Sequence, residues 1–381
     1  MAGQPVVHPL DELARDVAFV DEWRDLLAAV DGSSFFQTPQ WILSWWEDVG
    51  CPPSRVAIWR DANGRLAAVV PLTEVRERLH RRLPESTAVP ILTNAGSGPP
   101  HSADHGGWIA LDHFRADVQR WLFDEAQRHP ILLRHLDPAC IPAGDVSAQL
   151  VLVTRCPRLG TAARLEDLQV SAQMRQQIRR RQRRARDAGV TFRWIPPGES
   201  SAELLDVLFT LHESRRTLKP EPSSFSRERS YGFHRRLLTH TRRDSGVAFL
   251  LAERDGNPVG VLYGFVWRDT FSYYQGGWDA SLASQGVGMA LHAEAILAAH
   301  ARGITTYDLL RGAEAYKYRL GAVDRLDETW LLGRGARRSL IGAKYRAVRR
   351  QQVSVGRNRP AATSARLTLA RKRADAGGCR D

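Results

Sequence analysis

The sequence predicts an α/β (α+β) fold in which one order of elements occurs twice. Two observations carry this. Two hairpin signals, "RVAIWRDANGRLAAVVPLTEV" and "GVAFLLAERDGNPVGVLYGFVW", each join apolar strands through Asn, Asp and Gly turn residues. With Asn63-Gly64 set on Gly256-Asn257, Leu66, Ala67, Ala68 and Val69 fall on Val259, Gly260, Val261 and Leu262, small and apolar in the same phase. The elements around both hairpins also follow one order, an internal duplication of about 170 to 190 residues. At 381 residues and 43% hydrophobic content, the chain can supply two cores.

Taken in order, helical periodicity over "LARDVAFVDEWRDLLAAV" and "TPQWILSWWEDVG" precedes the first hairpin, and "SAELLDVLFTLHESRRTL" and "SRERSYGFHRRLLTHTRR" precede the second. After each hairpin come a strand, a helix and a further strand. The helices are "DHFRADVQRWLFDEAQRHP" and "GVGMALHAEAILAAHARG", and the strands after them "ILLRHL" and "TTYDLL". The halves are placed at 1–160 and 171–332, followed by a basic tail, 333–381. A basic helix over 173–188, ended by Gly189, leads into strand "VTFRWI" of the second half.

Composition removes several function classes. Cys51, Cys140, Cys156 and Cys379 lie far apart without a C-x-x-C pair, so they read as packing or bystander thiols and no metal is expected. Neither H-E-x-x-H nor G-x-S-x-G occurs. No apolar run of about 18 residues appears, and Met1–Val20 lacks the pattern of an export signal, so a cytoplasmic protein is expected, with an inner membrane face as a further place. The net charge of +12 favours anionic partners. It concentrates in "QMRQQIRRRQRRARDAG" and after Gly333. On a helix Arg175, Arg179, Arg183 and Arg186 share a face and Arg180, Arg181 and Arg184 widen it, which suits a solvated junction or a phosphate or nucleic-acid contact. In the tail Leu340, Ile341, Tyr345 and Val348 interleave with basic residues, as on an anionic membrane surface or in a disordered segment.

The candidate ligand site begins at Gln285. A helix N-terminus offers unpaired N–H groups and partial positive charge, and it binds phosphate where side chains leave room. Gln285, Gly286, Val287, Gly288, Met289 and Ala290 form Q-x-x-G-x-A between strand "TFSYYQGGW" and an apolar helix, with Gly286 and Gly288 clearing the approach. A tightly packed strand-to-helix turn is the alternative reading. The hexapeptide resembles the pyrophosphate-binding motif of GNAT acyltransferases. More narrowly, "FFQTPQWILSWWEDVG", "RRRQRRARDAGV" and "YDLLRGAEAYKYRLG" resemble acetyltransferases of the CelD type of cellulose biosynthesis, related to Fem-type aminoacyltransferases.

The resemblance implies two tandem GNAT-like domains, each a mixed, mostly antiparallel sheet flanked by helices. It implies acetyl-CoA or a longer acyl-CoA as cosubstrate, bound at 285–290 and between splayed strands around Tyr273–Gly276 and Thr306–Leu309. The reaction it implies is amine attack on the thioester, with a strand N–H at the oxyanion and a base for the amine proton. Asp308, Arg311, Glu314, Tyr316 and Lys317 crowd one strand end. A carboxylate there could take the amine proton, Tyr316 could return one to the thiolate, and Lys317 or Arg311 could pair with a phosphate or carboxylate. A salt-bridged loop, Asp308 with Arg311 and Glu314 with Lys317, is the alternative. Strand alternation puts Tyr273 and Gln275 on one face and Tyr274 on the other, leaving Tyr274 and Gln275 as cleft or core residues.

The first half has "SGPPHSADHGGWIALDHF" where the motif would stand, so no CoA site is expected there. Phe35, Phe36, Trp41, Trp45 and Trp46 have helical spacing and read as core, with acceptor contact as the alternative, and His101 and His105 read as surface decoration ahead of catalysis. The expected activity is N-acyl transfer to a small-molecule amine, such as an amino sugar or cell-envelope precursor. The alternatives are a Fem-like transferase using aminoacyl-tRNA and a non-enzymatic nucleic-acid-binding protein.

Overall fold

The computed structural model describes residues 3–357 apart from 81, 102, 142–146 and 218–224; Cys379 and the tail beyond 357 lie outside the described residues. The first half runs β1 (Val6–Pro9), α1 (Leu10–Leu13), α2 (Val17–Ala29), α3 (Pro39–Asp48), β2 (Ser54–Arg60), β3 (Leu66–Glu77), β4 (Val89–Asn94), β5 (Ile109–Ala110), α4 (Arg115–Ala126), β6 (Ile131–Leu136) and β7 (Ala148–Gly160). The second runs α5 (Ala172–Asp187), β8 (Val190–Ile195), α6 (Ala202–Thr217), α7 (Arg227–Thr239), β9 (Gly246–Arg254), β10 (Asn257–Trp267), β11 (Thr270–Trp278), α8 (Val287–His300), β12 (Thr306–Asp308), α9 (Ala315–Arg319), β13 (Val323–Leu332) and α10 (Gly335–Arg357).

Local chemistry explains the boundaries. The Asp16, Thr38 and Ser171 side chains accept from the backbone N–H three residues on, capping α2, α3 and α5, and Pro39 occupies the first turn of α3. In the first hairpin Asp61 Oδ1 accepts from Asn63 N and Arg65 N, and Gly64 takes the left-handed conformation the turn requires. Both hairpins form where the sequence places them, β2–β3 and β9–β10.

All strands join one sheet, in the order β1-β2-β3-β4-β6-β13-β7-β12-β11-β10-β9-β8, with β5 beside β3. The order reads the same from either end. Each half is antiparallel except where its fourth strand meets the next, β4 with β6 and β11 with β12, which are parallel. At the centre the last strands are exchanged: β13 pairs with β6 of the first half, β7 with β12 of the second, and the two pair antiparallel with each other from Ala148/Leu332 to Arg158/Val323. Neither half can complete its sheet alone.

The largest core lies where α2 and α3 of one half meet α6 and α7 of the other over β10. Phe35 stacks on Phe265 at 4.5 Å, and Trp41 meets Phe233 edge-on at 5.0 Å. Phe35, Phe36, Trp41 and Trp45 are buried as expected, each contributing about 1.5–3 kcal/mol on burial, and Trp46 packs against their edge. A second core lies under α5 and α8 on the opposite face.

The tail reading changes. α10 packs on the sheet, with Ile341 and Tyr345 buried among Leu132, Val151 and Leu331 and Lys344 paired with Glu77. Only Leu340 and Val348 of the four interleaved residues keep exposed surface. No helix among the described residues is long and apolar enough to cross a membrane.

Helix α6 crosses β11 at a glycine. A Cβ on Gly277 would sit 2.4 Å from His212 N and 2.5 Å from the Leu211 carbonyl carbon, both helix backbone. Gly277→Ala is therefore expected to cost about 3 kcal/mol, read as a lowered urea midpoint at unchanged slope.

Candidate active site

Strands β11 and β12 pair over three positions only: Thr270 with Thr306, Phe271 with Tyr307 and Ser272 with Asp308. Past that point β11 bulges. Tyr273 stands opposite Gly264 and Gln275 opposite Tyr263, so Tyr274 is an extra residue. This corrects the expected alternation. Tyr273 packs under α8 beside His292, whereas Gln275 lies opposite a residue of the α6–α7 core and the Tyr274 ring packs against Trp41, Phe265 and His234. Where the strands part, a cleft of about 500 Å³ opens, which Tyr274, Gln275, Arg311, Glu314, Tyr316 and Lys317 all line.

The first half closes the same wedge. After Thr93/Leu132 the Asn94 side chain bridges the gap, its Oδ1 accepting from Arg134 N at 2.8 Å and its Nδ2 donating to Arg134 O at 3.1 Å and Ser97 Oγ at 2.6 Å.

The polar run after β12 is more committed than its sequence suggests. Lys317 is 3% exposed and donates to the carbonyls of Leu310, Arg311 and Gly312, so its ammonium staples the turn; all its N–H donors are taken. Glu314 forms the expected ion pair with Lys317 at 3.0 Å, at the rim of the cleft. Asp308 and Arg311 do not pair with each other. Arg311 holds Asp104 through its side chain and backbone and donates to Ala103 O. Asp308 is buried beneath His105 and faces a separate cavity. Tyr316 lies half-buried beside the His292 ring.

The sequence reading missed the loop 95–108 of the first half. His101 and His105 are not surface residues: they are 1% and 3% exposed. The loop crosses to the second half and walls its cleft. His105 Nε2 lies 2.9 Å from Asp308 Oδ2, its Nδ1 lies 2.8 Å from Asp327 Oδ1, and its backbone N donates to Asp327 Oδ2. His101 stacks on Phe233 at 3.9 Å with Nε2 2.9 Å from Asp48 Oδ2. The partners are up to 222 residues away, so no local pattern exposes them.

Burial alone would neutralise His105, but the Asp308 and Asp327 carboxylates outweigh it and raise its pKa to about 9. Asp308, despite burial, is held below the usual carboxylate range by His105 and the Leu310 N–H. Burial pushes Asp104 up against the opposing pull of Arg311, and lowers His101, which Asp48 only partly offsets. It also keeps the Cys140 and Cys156 thiols protonated, as packing residues. His105, Cys156 and Asp327, and likewise Asp104, His135 and Asp327, bring possible ligand atoms within 4.8 Å of one another. Their carboxylates are engaged by His105 and Arg311, while His135 Nδ1 is buried without a hydrogen-bond partner.

At the helix start Gly286 takes a left-handed conformation as the N-cap of α8. The expected clear approach is partly filled. A Cβ on Gly286 would strike the Arg181 side chain of α5 at 2.2 Å, and one on Gly288 would meet the Trp278 ring at 3.1 Å. Arg181 thus lies over the first turn of α8, and α5 is anchored there by Ile178, Gln182 and Ala185. Arg179 and Arg186 of its basic face pair with Glu166 and Glu294.

Because the folded-state pKa of His105 is raised, its contribution is complete below about pH 6.5 and is lost as pH rises through about 9. His105→Gln should cost about 3–5 kcal/mol at pH 6.5 by leaving buried carboxylates unpaired. The gap from wild type should narrow steadily towards pH 9.5 in urea titrations.

In sequence, residues 172–318 match the family described as Acetyltransferase (GNAT) domain, and no curated protein matches the chain. In fold, the chain is similar to FemX, with 11% identity, a TM-score of 0.58, and coverage of 82% of this chain and 95% of that one. It is also similar to the C-terminal domain of a putative lysylphosphatidylglycerol synthetase from Agrobacterium fabrum, with 13% identity, a TM-score of 0.53, and coverage of 86% and 96%. L-PGS from Bacillus licheniformis gives 13% identity and a TM-score of 0.51 over 85% and 95%. Parted strands, a bulge beside them and a helix start behind them all fall inside the matched segment, and residues 172–318 carry a GNAT acetyltransferase domain.

Proposed function

We propose that the protein transfers an acyl group from acetyl-CoA or a longer acyl-CoA to the amine of an amino sugar or cell-envelope precursor, in the manner of the CelD-type enzymes it resembles. The observation that carries this is the parting of β11 and β12 beyond Ser272 and Asp308, with the α8 start against Trp278 at the end of β11. The donor set there suits an anion: first-turn N–H groups and the Arg181 guanidinium.

The thioester supplies an activated carbonyl and a good leaving group. The chain supplies position and charge. The bulge frees strand backbone at Tyr274 as the source of a donor for the developing oxyanion. Tyr316 lines the cleft as the proton source for the departing thiolate, and Lys317 keeps the Leu310–Gly312 turn in place. Burial holds the Tyr274 phenol well above its ordinary range, which suits it to shaping the wall and not to proton transfer.

A Fem-like reading, with aminoacyl-tRNA as donor, is favoured by one feature: Arg180, Arg183 and Arg184 point to solvent on α5. Calorimetric titration separates the two. Wild type should bind acetyl-CoA, and Arg181→Glu should weaken binding about tenfold or more, roughly 1.4 kcal/mol, at unchanged thermal stability. Undiminished affinity in the variant removes the α8 start from the donor site. Absence of binding by wild type, with salt-dependent binding of tRNA, moves the assignment to the second reading. Gly288 is a poor probe, since substitutions there collide with Trp278.

A further inference from the structure

We propose that His101, contributed by the first half, is the base that accepts the amine proton in the cleft of the second half, with Asp48 as its positioning residue. The assignment rests on the acyl-transfer reading above and names the group that reading leaves open.

The carboxylates near the cleft are engaged. Asp308 lies under His105, Asp104 is clamped by Arg311, and Glu314 pairs with Lys317. His101 lines the cleft and differs from them in what it leaves available. Asp48 can only accept, so at 2.9 Å the hydrogen of the neutral ring sits on Nε2 and the lone pair on Nδ1. Among the described residues no hydrogen bond engages Nδ1. The ring cannot turn away: it lies flat on Phe233, 8° from parallel, and meets His234 edge-on at 5.8 Å. Asp48 is fixed in turn by Arg236 Nη1 at 3.2 Å.

The groups facing His101 are Asp48 from α3, Arg236 and His234 from α7, and Asp104 and Arg311 around the cleft. Burial and Arg236 favour the neutral ring, Asp48 opposes them, and the balance lies below the ordinary histidine value, so the lone pair is present at neutral pH. His234 is itself held neutral by its burial. In the step, the amine lone pair forms the C–N bond and the carbonyl π pair moves to oxygen. That pair returns as the C–S bond breaks, and sulfur leaves with the bonding electrons and gains a proton from Tyr316. The proton lost by nitrogen goes to Nδ1 and from the imidazolium to solvent.

The test follows thiol release from acetyl-CoA with glucosamine as the amine probe, alongside calorimetric acetyl-CoA binding and thermal unfolding of each variant. His101→Asn is expected to lose about 100-fold or more in turnover, keep its acetyl-CoA affinity and lose the acidic limb of the pH–rate profile. Asp48→Asn should move that limb to lower pH with a smaller loss. Diethyl pyrocarbonate reads the same lone pair without an acceptor. Mass spectrometry should find His101 carbethoxylated in wild type, and acetyl-CoA should slow that reaction. A wild-type rate in a folded His101→Asn, or an unreactive His101, overturns the assignment while acetyl-CoA binding leaves the acyl-transfer reading standing. Wild type that binds no acetyl-CoA overturns both.

Discussion

His105 joins three parts of the molecule that are remote in sequence. Its ring lies between Asp308 at the end of β12 and Asp327 on β13, and its backbone N–H donates to Asp327 as well. All three side chains are almost fully buried, so the charges are removed from water and must be satisfied by one another. Burying two carboxylates is tolerable only because the imidazolium stands between them with Arg325 nearby. The loop carrying His105 also carries Asp104 and His101, and fixing it at this point fixes the wall of the cleft.

The exchange of β7 and β13 explains why such a contact can exist. Were each half closed on its own strand, loop 95–108 would meet its own sheet and the second half would have no foreign wall. With β13 inserted beside β6, Asp327 is carried towards the first half, and with β7 beside β12 the two wedges come near each other. The equivalent loops then diverged. In the second half the chain after the fourth strand turns into the α8 start through Gly286, whereas in the first it crosses over, and Asn94 fills the wedge it leaves behind.

Much of the fold was legible because it is local. Period-two and helical patterns, the Asn-Gly and Asp-Gly turns and the Asp16, Thr38 and Ser171 caps act within a few residues, and the duplication follows from their repeated order. Part of the cleft lining was legible for a similar reason, since Arg311, Glu314, Tyr316 and Lys317 are close in sequence beyond one strand end. What stayed hidden depends on partners far along the chain. Nothing in Ala148–Gly160 announces that it will lie beside β12, and nothing near Tyr274 announces a bulge, which is a property of the pairing. His101 and His105 stand among Gly, Pro and Ser, a surface-like composition, and only their partners at Asp48, Asp308 and Asp327 make them interior residues. Lys317 was read as a ligand group because charge is visible in sequence and three carbonyl acceptors are not.

The placement of groups around the cleft divides the labour between the halves. The parted strands, the helix start and Tyr316 belong to the second half. Facing them, Pro100, His101 and Asp104 come from the first, along with Asp48 behind His101. The loop is held to the second half by Arg311, which bonds Asp104 and Ala103, and by His105, which ties it into the buried charge network. The first half thus supplies the second with strand β7 and with the loop that walls its cleft.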